Sequence, residues 1–289
     1  MTTAAGAGTF AIAGELEVNR LGFGAMRLTG PGIWGPPAPL HDGGNAYAVL
    51  RRAVELGVNH IDTADSYGPH VSEELIAEAL HPYPPDLVIA TKGGLERTGP
   101  GGDWPRNGRP DHLRRACEGS LKRLRVERID LYYLHRPDPQ VPYEESIGTL
   151  KELRDEGKIR HVAVSNVNAH LLGVARGIVE VAAVQNEYSL TDRRSREVLE
   201  ICEREGIGFV PWAPLGAGRL DPAGPVARIA RRHDASPMQV AIAWLLHASP
   251  VSLPIPGTAS IEHLEENVAA AELELGDDEL ATLDELRTD

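Results

Sequence analysis

Short apolar runs alternate with amphipathic segments along nearly the whole chain, and this alternation restricts the fold more than any other feature. The strand-like runs are LGFGAM (21–26), VNHID (58–62), DLVIATKGG (86–94), IDLYYLH (129–135), IRHVAVSN (159–166), VAAVQNEYS (181–189), IGFVPWAPLG (207–216) and VSLPIPG (251–257). Between and after them, residues 45–57, 71–81, 110–126, 143–158, 169–178, 193–206, 225–249 and 260–272 carry apolar positions at helical spacing, the seventh broken near Pro237. Strict β–α alternation implies a parallel sheet, and eight units predict a closed (β/α)8 TIM barrel. An open doubly wound sheet is the competing arrangement. The turn after its first strand would need a third glycine, which GFGAMR lacks. Two alternating runs about Ala13-Gly14 predict an N-terminal β-hairpin. The 289 residues suit one barrel domain spanning 1–289, since no linker divides them. The Gly/Pro-rich stretch 94–110 follows a strand and reads as an active-site loop.

The formal net charge of −13 sets the chain against nucleic acid and anionic membranes as partners. No apolar stretch approaches the roughly 20 residues of a membrane span, and the N-terminus lacks the features of a signal peptide. Cys117 and Cys202 fall in helical sequence without metal-binding or redox spacing, so both read as packing thiols in a reducing compartment. The expected location is cytoplasmic.

Barrel chemistry takes place at the C-terminal ends of strands. The polar residues there are Asp62 and Tyr67 after the second strand, Lys92 on the third, His135 on the fourth, Ser165 and Asn166 on the fifth, Gln185 and Asn186 on the sixth, and Trp212 on the seventh. Singly, each has a plainer reading: Asp62 caps a turn, Tyr67 packs as a loop aromatic, Lys92 snorkels, His135 sits satisfied at a strand end. Together an acid, a phenol, a lysine and an imidazole leave three consecutive strands. A buried lysine needs a counter-ion, which Asp62 supplies. A cation beside Tyr67 is expected to lower its pKa from about 10 and make it a general acid.

The ordered set LGFGAM, GVNHIDTADSYGP, IATKGG, IDLYYLH, GKIRHVAVSN, VQNEYS, VPWAPLG and LPIPGTASIEHLEEN resembles the aldo-keto reductases. The resemblance implies a catalytic tetrad of Asp62, Tyr67, Lys92 and His135. It also implies NADP(H), with NAD(H) as the alternative, extended across the barrel mouth. Gly24, Ala25 and Met26 would approach the cofactor along with Asp62. Ser165, Asn166 and Gln185 would bind the nicotinamide carboxamide, and Trp212 would stack on the ring. Leu215 and Gly216 would follow the pyrophosphate, and Thr258, His263, Glu266 and Asn267 would hold the adenosine end. Trp34, Tyr67, Trp104 and His135, with His70, would line an open substrate pocket.

Two departures stand out. Many relatives carry lysine and arginine where this chain has Gly257 and His263, which leaves less fixed charge for a 2′-phosphate. The chain also ends too soon for the long C-terminal specificity loop of some branches. The branch that includes bacterial pyridoxal reductases looks nearest, so pyridoxal and other small or aromatic aldehydes are the candidate substrates. Two other functions fit parts of the pattern. A regulatory subunit of the same fold would bind the cofactor with little turnover. A metal-dependent hydrolase would use His60, Asp62 and His135, but Lys92 beside Asp62 would repel a metal.

Overall fold

The computed structural model describes residues 2–37, 46–213 and 224–286. Strands β1 (Thr9–Ile12) and β2 (Leu16–Asn19) form the expected antiparallel hairpin. Its turn places Ala13 and Gly14 at φ 52° and 70°, a left-handed pair that fits the right-handed twist of a hairpin.

Seven parallel strands follow in chain order: β3 (Phe23–Gly24), β4 (His60–Asp62), β5 (Val88–Gly93), β6 (Ile129–Leu134), β7 (Ile159–Ser165), β8 (Val181–Glu187) and β9 (Gly208–Trp212). The segment 251–257 closes the barrel between β9 and β3. Phe209 N–H donates to Val251 O and Leu253 N–H to Phe209 O, both at 2.8 Å. On the other side Gly22 N–H donates to Pro254 O at 3.0 Å and Gly24 N–H to Pro256 O at 3.4 Å. Pro254 and Pro256 have no N–H to return, so hydrogen bonds to β3 run one way and the eighth strand is irregular. The fold is a TIM barrel with an N-terminal hairpin, as the alternation predicts.

Helices α1 (Ala46–Glu55), α2 (Val71–Leu80), α3 (Pro110–Leu124), α4 (Tyr143–Asp155), α5 (Ala169–Arg176) and α6 (Arg196–Glu205) connect the strands. The break at Pro237 separates α7 (Pro225–Arg232) from α8 (Pro237–Ala248). Ser236 and Gln239 cap α8 reciprocally, which fixes its start. After α9 (Ile261–Ala269) comes α10 (Asp277–Asp284), which the strand–helix rhythm does not predict. It buries Leu280 and Leu283, and Asp284 Oδ1 accepts from Trp244 Nε1 at 2.9 Å.

Inward-facing Val88, Ala90, Leu131, Tyr133, Ala163, Ala183, Val210, Leu253 and Ile255 pack with Ile12, Leu16 and Val18 of the hairpin. The hairpin thus plugs one end of the barrel. Asn19 N–H donates to Asn59 Oδ1 just before β4, and Glu15 pairs with Arg160 near the start of β7, so the plugged end is the N-terminal one. The C-terminal end is left for chemistry. Among the described residues, no helix is long and apolar enough to cross a membrane.

Candidate active site

The last residue of β4 and the penultimate residue of β5 form an ion pair inside the barrel. Lys92 Nζ lies 2.5 Å from Asp62 Oδ1, with the lysine side chain fully buried and the aspartate side chain 3% exposed. Parallel register aligns Asp62 with Ala90, so Lys92 reaches it from two residues further along β5. Lys92 also donates to Thr63 O at 2.7 Å, and Gln185 Nε2 of β8 donates to Asp62 Oδ2 at 2.8 Å. Both carboxylate oxygens are therefore engaged, which is what a charge at this depth requires. Burial alone would pull the Lys92 pKa down. Asp62 and Tyr67 together outweigh it, and the net shift is upward, so the ammonium stays charged.

Tyr67 follows in the loop after β4, with Lys92 Nζ 5.2 Å from its ring centroid. The expected lowering of its pKa is not what the site produces. Burial is the largest influence and raises it; Lys92 opposes burial without reversing it. The phenol is consequently protonated at neutral pH and available as a proton donor. The His135 ring packs edge-on at 5.9 Å from Tyr67. Burial, then Lys92 and Arg136, hold His135 well below the ordinary histidine pKa, so it is neutral. Its Nδ1 faces Ser66 Oγ at 3.4 Å.

Trp104 stands edge-on to Tyr67, with centroids 6.2 Å apart. The Arg97 guanidinium covers Trp104 at 3.8 Å and approaches Trp34 at 5.8 Å. It also donates to Ile33 O at 3.0 Å and Gly32 O at 2.9 Å, tying the loop after β5 to the segment carrying Trp34. Trp34 and Trp104 thus belong to one wall beside Tyr67. His70 is exposed at the start of α2, in a left-handed conformation at φ 73°.

Ser165 ends β7 opposite Gln185 on β8, and Trp212 ends β9 opposite Glu187. Asn166, at φ 59°, donates to His135 O at 3.1 Å and Ser165 Oγ at 2.9 Å. Asn186 instead faces the loop behind, accepting from Val167 N–H and donating to Val167 O. On the opposite side of the mouth, Gly24 and Gly257 meet backbone to backbone, and a Cβ on Gly257 would lie 2.4 Å from Gly24 O. Ala25 and Met26 continue from Gly24 in a short 3-10 turn. Thr258 leads into α9, where His263 and Glu266 are exposed and Asn267 is buried. Leu215 and Gly216 lie outside the described residues.

Residues 20–288 match the aldo/keto reductase family. The chain belongs to the aldo/keto reductase family. As a member it is an NAD(P)H-dependent oxidoreductase. This aldo/keto reductase is 48% identical to an uncharacterized oxidoreductase of Schizosaccharomyces pombe, over 96% of this chain and 90% of the relative. It is 42% identical to pyridoxine 4-dehydrogenase of Escherichia coli, over 94% of this chain and 96% of the relative. It superposes on an aldo-keto reductase of Klebsiella pneumoniae in complex with NADPH, with a TM-score of 0.77, 27% identity and coverage of 99% and 95% of the two chains.

Three features of the candidate site are only partly legible in the sequence, or not at all. Gln185 was expected only on the carboxamide, yet it secures Asp62. Arg97 sits in a loop with no periodicity to mark it. His60 lies two residues before Asp62 on β4 and is fully buried with neither ring nitrogen partnered among the described residues. Burial pushes its pKa down to about 4. Strand alternation puts His60 on the same side as Asp62, and the sequence offers it only as a ligand in the hydrolase alternative. Among the described residues no cluster suits a metal, and both oxygens of Asp62 are occupied by other groups.

Proposed function

We propose that this protein reduces aldehyde or ketone carbonyls with NADP(H), with Tyr67 as the proton donor. The observation that carries this reading is the buried Asp62–Lys92 pair beside a protonated Tyr67 and a neutral His135. Lys92 stabilises the phenolate that forms as Tyr67 gives its proton from Oη to the substrate oxygen. Asp62 keeps Lys92 charged and in place, and Gln185 keeps Asp62 in place. His135, being uncharged, orients the carbonyl oxygen by hydrogen bonding without competing as an acid. Trp104 and Trp34 shield the site from water and offer aromatic faces to a planar substrate.

The residues present fit a nicotinamide cofactor. Ser165, Asn166 and Gln185 gather hydrogen-bonding groups at adjacent strand ends, and the Trp212 Nε1–H beside them is buried with no partner among the described residues. Trp212 would face the ring, and Gly24, Ala25 and Met26 would border it. Thr258, His263, Glu266 and Asn267 would meet the adenosine end, near the N-terminus of α9. When bound, the cofactor supplies the hydride. The likeness to pyridoxine 4-dehydrogenase supports pyridoxal and similar aromatic aldehydes as substrates. The free, buried Cys117 and Cys202 accord with a cytoplasmic location. The test is loss of NADPH absorbance across a panel of pyridoxal, aromatic aldehydes and small dicarbonyls. Turnover of at least one supports the reading; cofactor binding with no turnover would instead favour the regulatory role.

A further inference from the structure

Arginines at intermediate burial elsewhere in the protein find partners. Arg123 pairs with Glu73 at 2.6 Å, Arg193 donates to Leu283 O and Asp284 O, and Arg20 donates to three backbone carbonyls. Arg136 differs. It follows His135 at the end of β6 and is half-buried, yet it has no ion-pair or hydrogen-bond partner among the described residues. Its place in the chain sets it by the site, because the preceding His135 packs its ring 5.9 Å from Tyr67. Burial depresses the Arg136 pKa, Arg106 adds to that, and Glu187 and Tyr67 act in the opposite direction.

Two further features make the charge available. Glu187, the acid that acts on Arg136, is already engaged by Arg194 at 3.1 Å. Arg106, which comes from the same loop as Trp104, donates to Pro137 O at 3.3 Å and so lies one residue from Arg136. Two arginines thus leave neighbouring segments beside Tyr67, one two residues after Trp104 and one next to His135, in a protein of net charge −13. A partly desolvated guanidinium with open donors suits a planar or tetrahedral oxyanion.

We propose that Arg136, assisted by Arg106, forms an anion-binding subsite beside Tyr67, and that the preferred substrates are carbonyl compounds bearing a carboxylate or phosphate. This rests on the reductase reading above. The anion would anchor on Arg136 while the carbonyl lies between Tyr67 and His135, so the subsite acts on specificity rather than on the chemical step.

The test compares matched substrates with NADPH: 4-carboxybenzaldehyde against methyl 4-formylbenzoate, and glyceraldehyde 3-phosphate against glyceraldehyde. In Arg136→Ala the charged-over-neutral ratio of kcat/KM should fall about 10–100-fold, mainly through KM, as expected for loss of a charge-assisted hydrogen bond. Arg136→Lys should recover part of it, because the charge returns without the fork. Arg128→Ala, which removes a charge at the opposite end of β6, should leave the ratio unchanged. The pair with the larger loss shows whether carboxylate or phosphate is preferred. An unchanged ratio in Arg136→Ala for both pairs would overturn the subsite, as would an equal loss in Arg128→Ala. A protein that reduces pyridoxal or a small dicarbonyl but none of these four would overturn the subsite and leave the reductase reading standing; one that reduces nothing in either set would overturn both.

Discussion

Gln185 holds the oxygen of Asp62 that Lys92 leaves free. Its Nε2 donates to Oδ2 at 2.8 Å, while Lys92 takes Oδ1 at 2.5 Å. The carboxylate is thereby fixed from two sides of the barrel, by β5 and by β8. Removing either partner leaves a buried group unsatisfied, so the site and the fold share this arrangement.

Asp62→Asn should strand the buried Lys92 charge and cost roughly 3–5 kcal/mol of stability along with activity. Gln185→Leu should cost less, about 1–3 kcal/mol, because one oxygen loses one donor. Denaturant titration and aldehyde reduction measured on the same preparations check both. Equal midpoints for Asp62→Asn and wild type would mean that the pair contributes nothing to folding.

Arg97→Ala should loosen the Trp34–Trp104 wall. The arginine covers Trp104 and fastens the Trp34 segment through two backbone carbonyls. The expected result is a KM for aromatic aldehydes raised about 3–10-fold with kcat little changed, the pattern for lost uniform binding. A fall in kcat at constant KM would place Arg97 in the chemistry instead.

His60 predicts acid sensitivity. Its folded pKa of about 4 lies below the ordinary value near 6.5. As pH falls below about 6.5 the unfolded chain takes up a proton that the folded protein refuses, so stability is lost between about 6.5 and 4. By pH 5 the loss from this one group is about 2 kcal/mol. His60→Leu should therefore show a smaller drop in Tm from pH 7 to pH 5 than wild type does. Asp65, whose pKa burial raises, slopes the other way in both proteins and cancels in the comparison. Identical drops would show that His60 is hydrated or already protonated.

The architecture was largely legible because its signals are local. Apolar runs such as VNHI and LYYL mark strands, and a glycine or proline punctuates most helices. Closure through 251–257 was legible as a strand, but its irregularity comes from Pro254 and Pro256 facing β3, a pairing that no local pattern displays. Helix α10 escaped because it extends the chain beyond the eight-unit rhythm. In the site, Asp62, Lys92, Tyr67 and His135 could be collected from strand ends alone. The upward shift of Tyr67 could not, since it depends on burial outweighing a cation, and burial is a property of the assembled barrel. Gln185 and Arg97 acquire their contacts across 123 and 64 residues of sequence, respectively.

His263 tests the adenosine end. It is exposed in the first turn of α9, after Thr258. His263→Arg should strengthen NADPH binding about tenfold relative to NADH, because an arginine there adds a fixed charge for the 2′-phosphate. Fluorescence quenching gives both dissociation constants. No change in their ratio would locate the phosphate elsewhere.

The central claim is that Tyr67 donates the proton, and Tyr67→Phe tests it most directly. The substitution removes one oxygen and keeps the ring that packs on Trp104 and His135. NADPH affinity, read by fluorescence quenching, should stay within about threefold of wild type, while kcat for the best aldehyde falls about 10²–10⁴-fold. A variant that binds NADPH normally and reduces that aldehyde at near the wild-type rate would contradict the account.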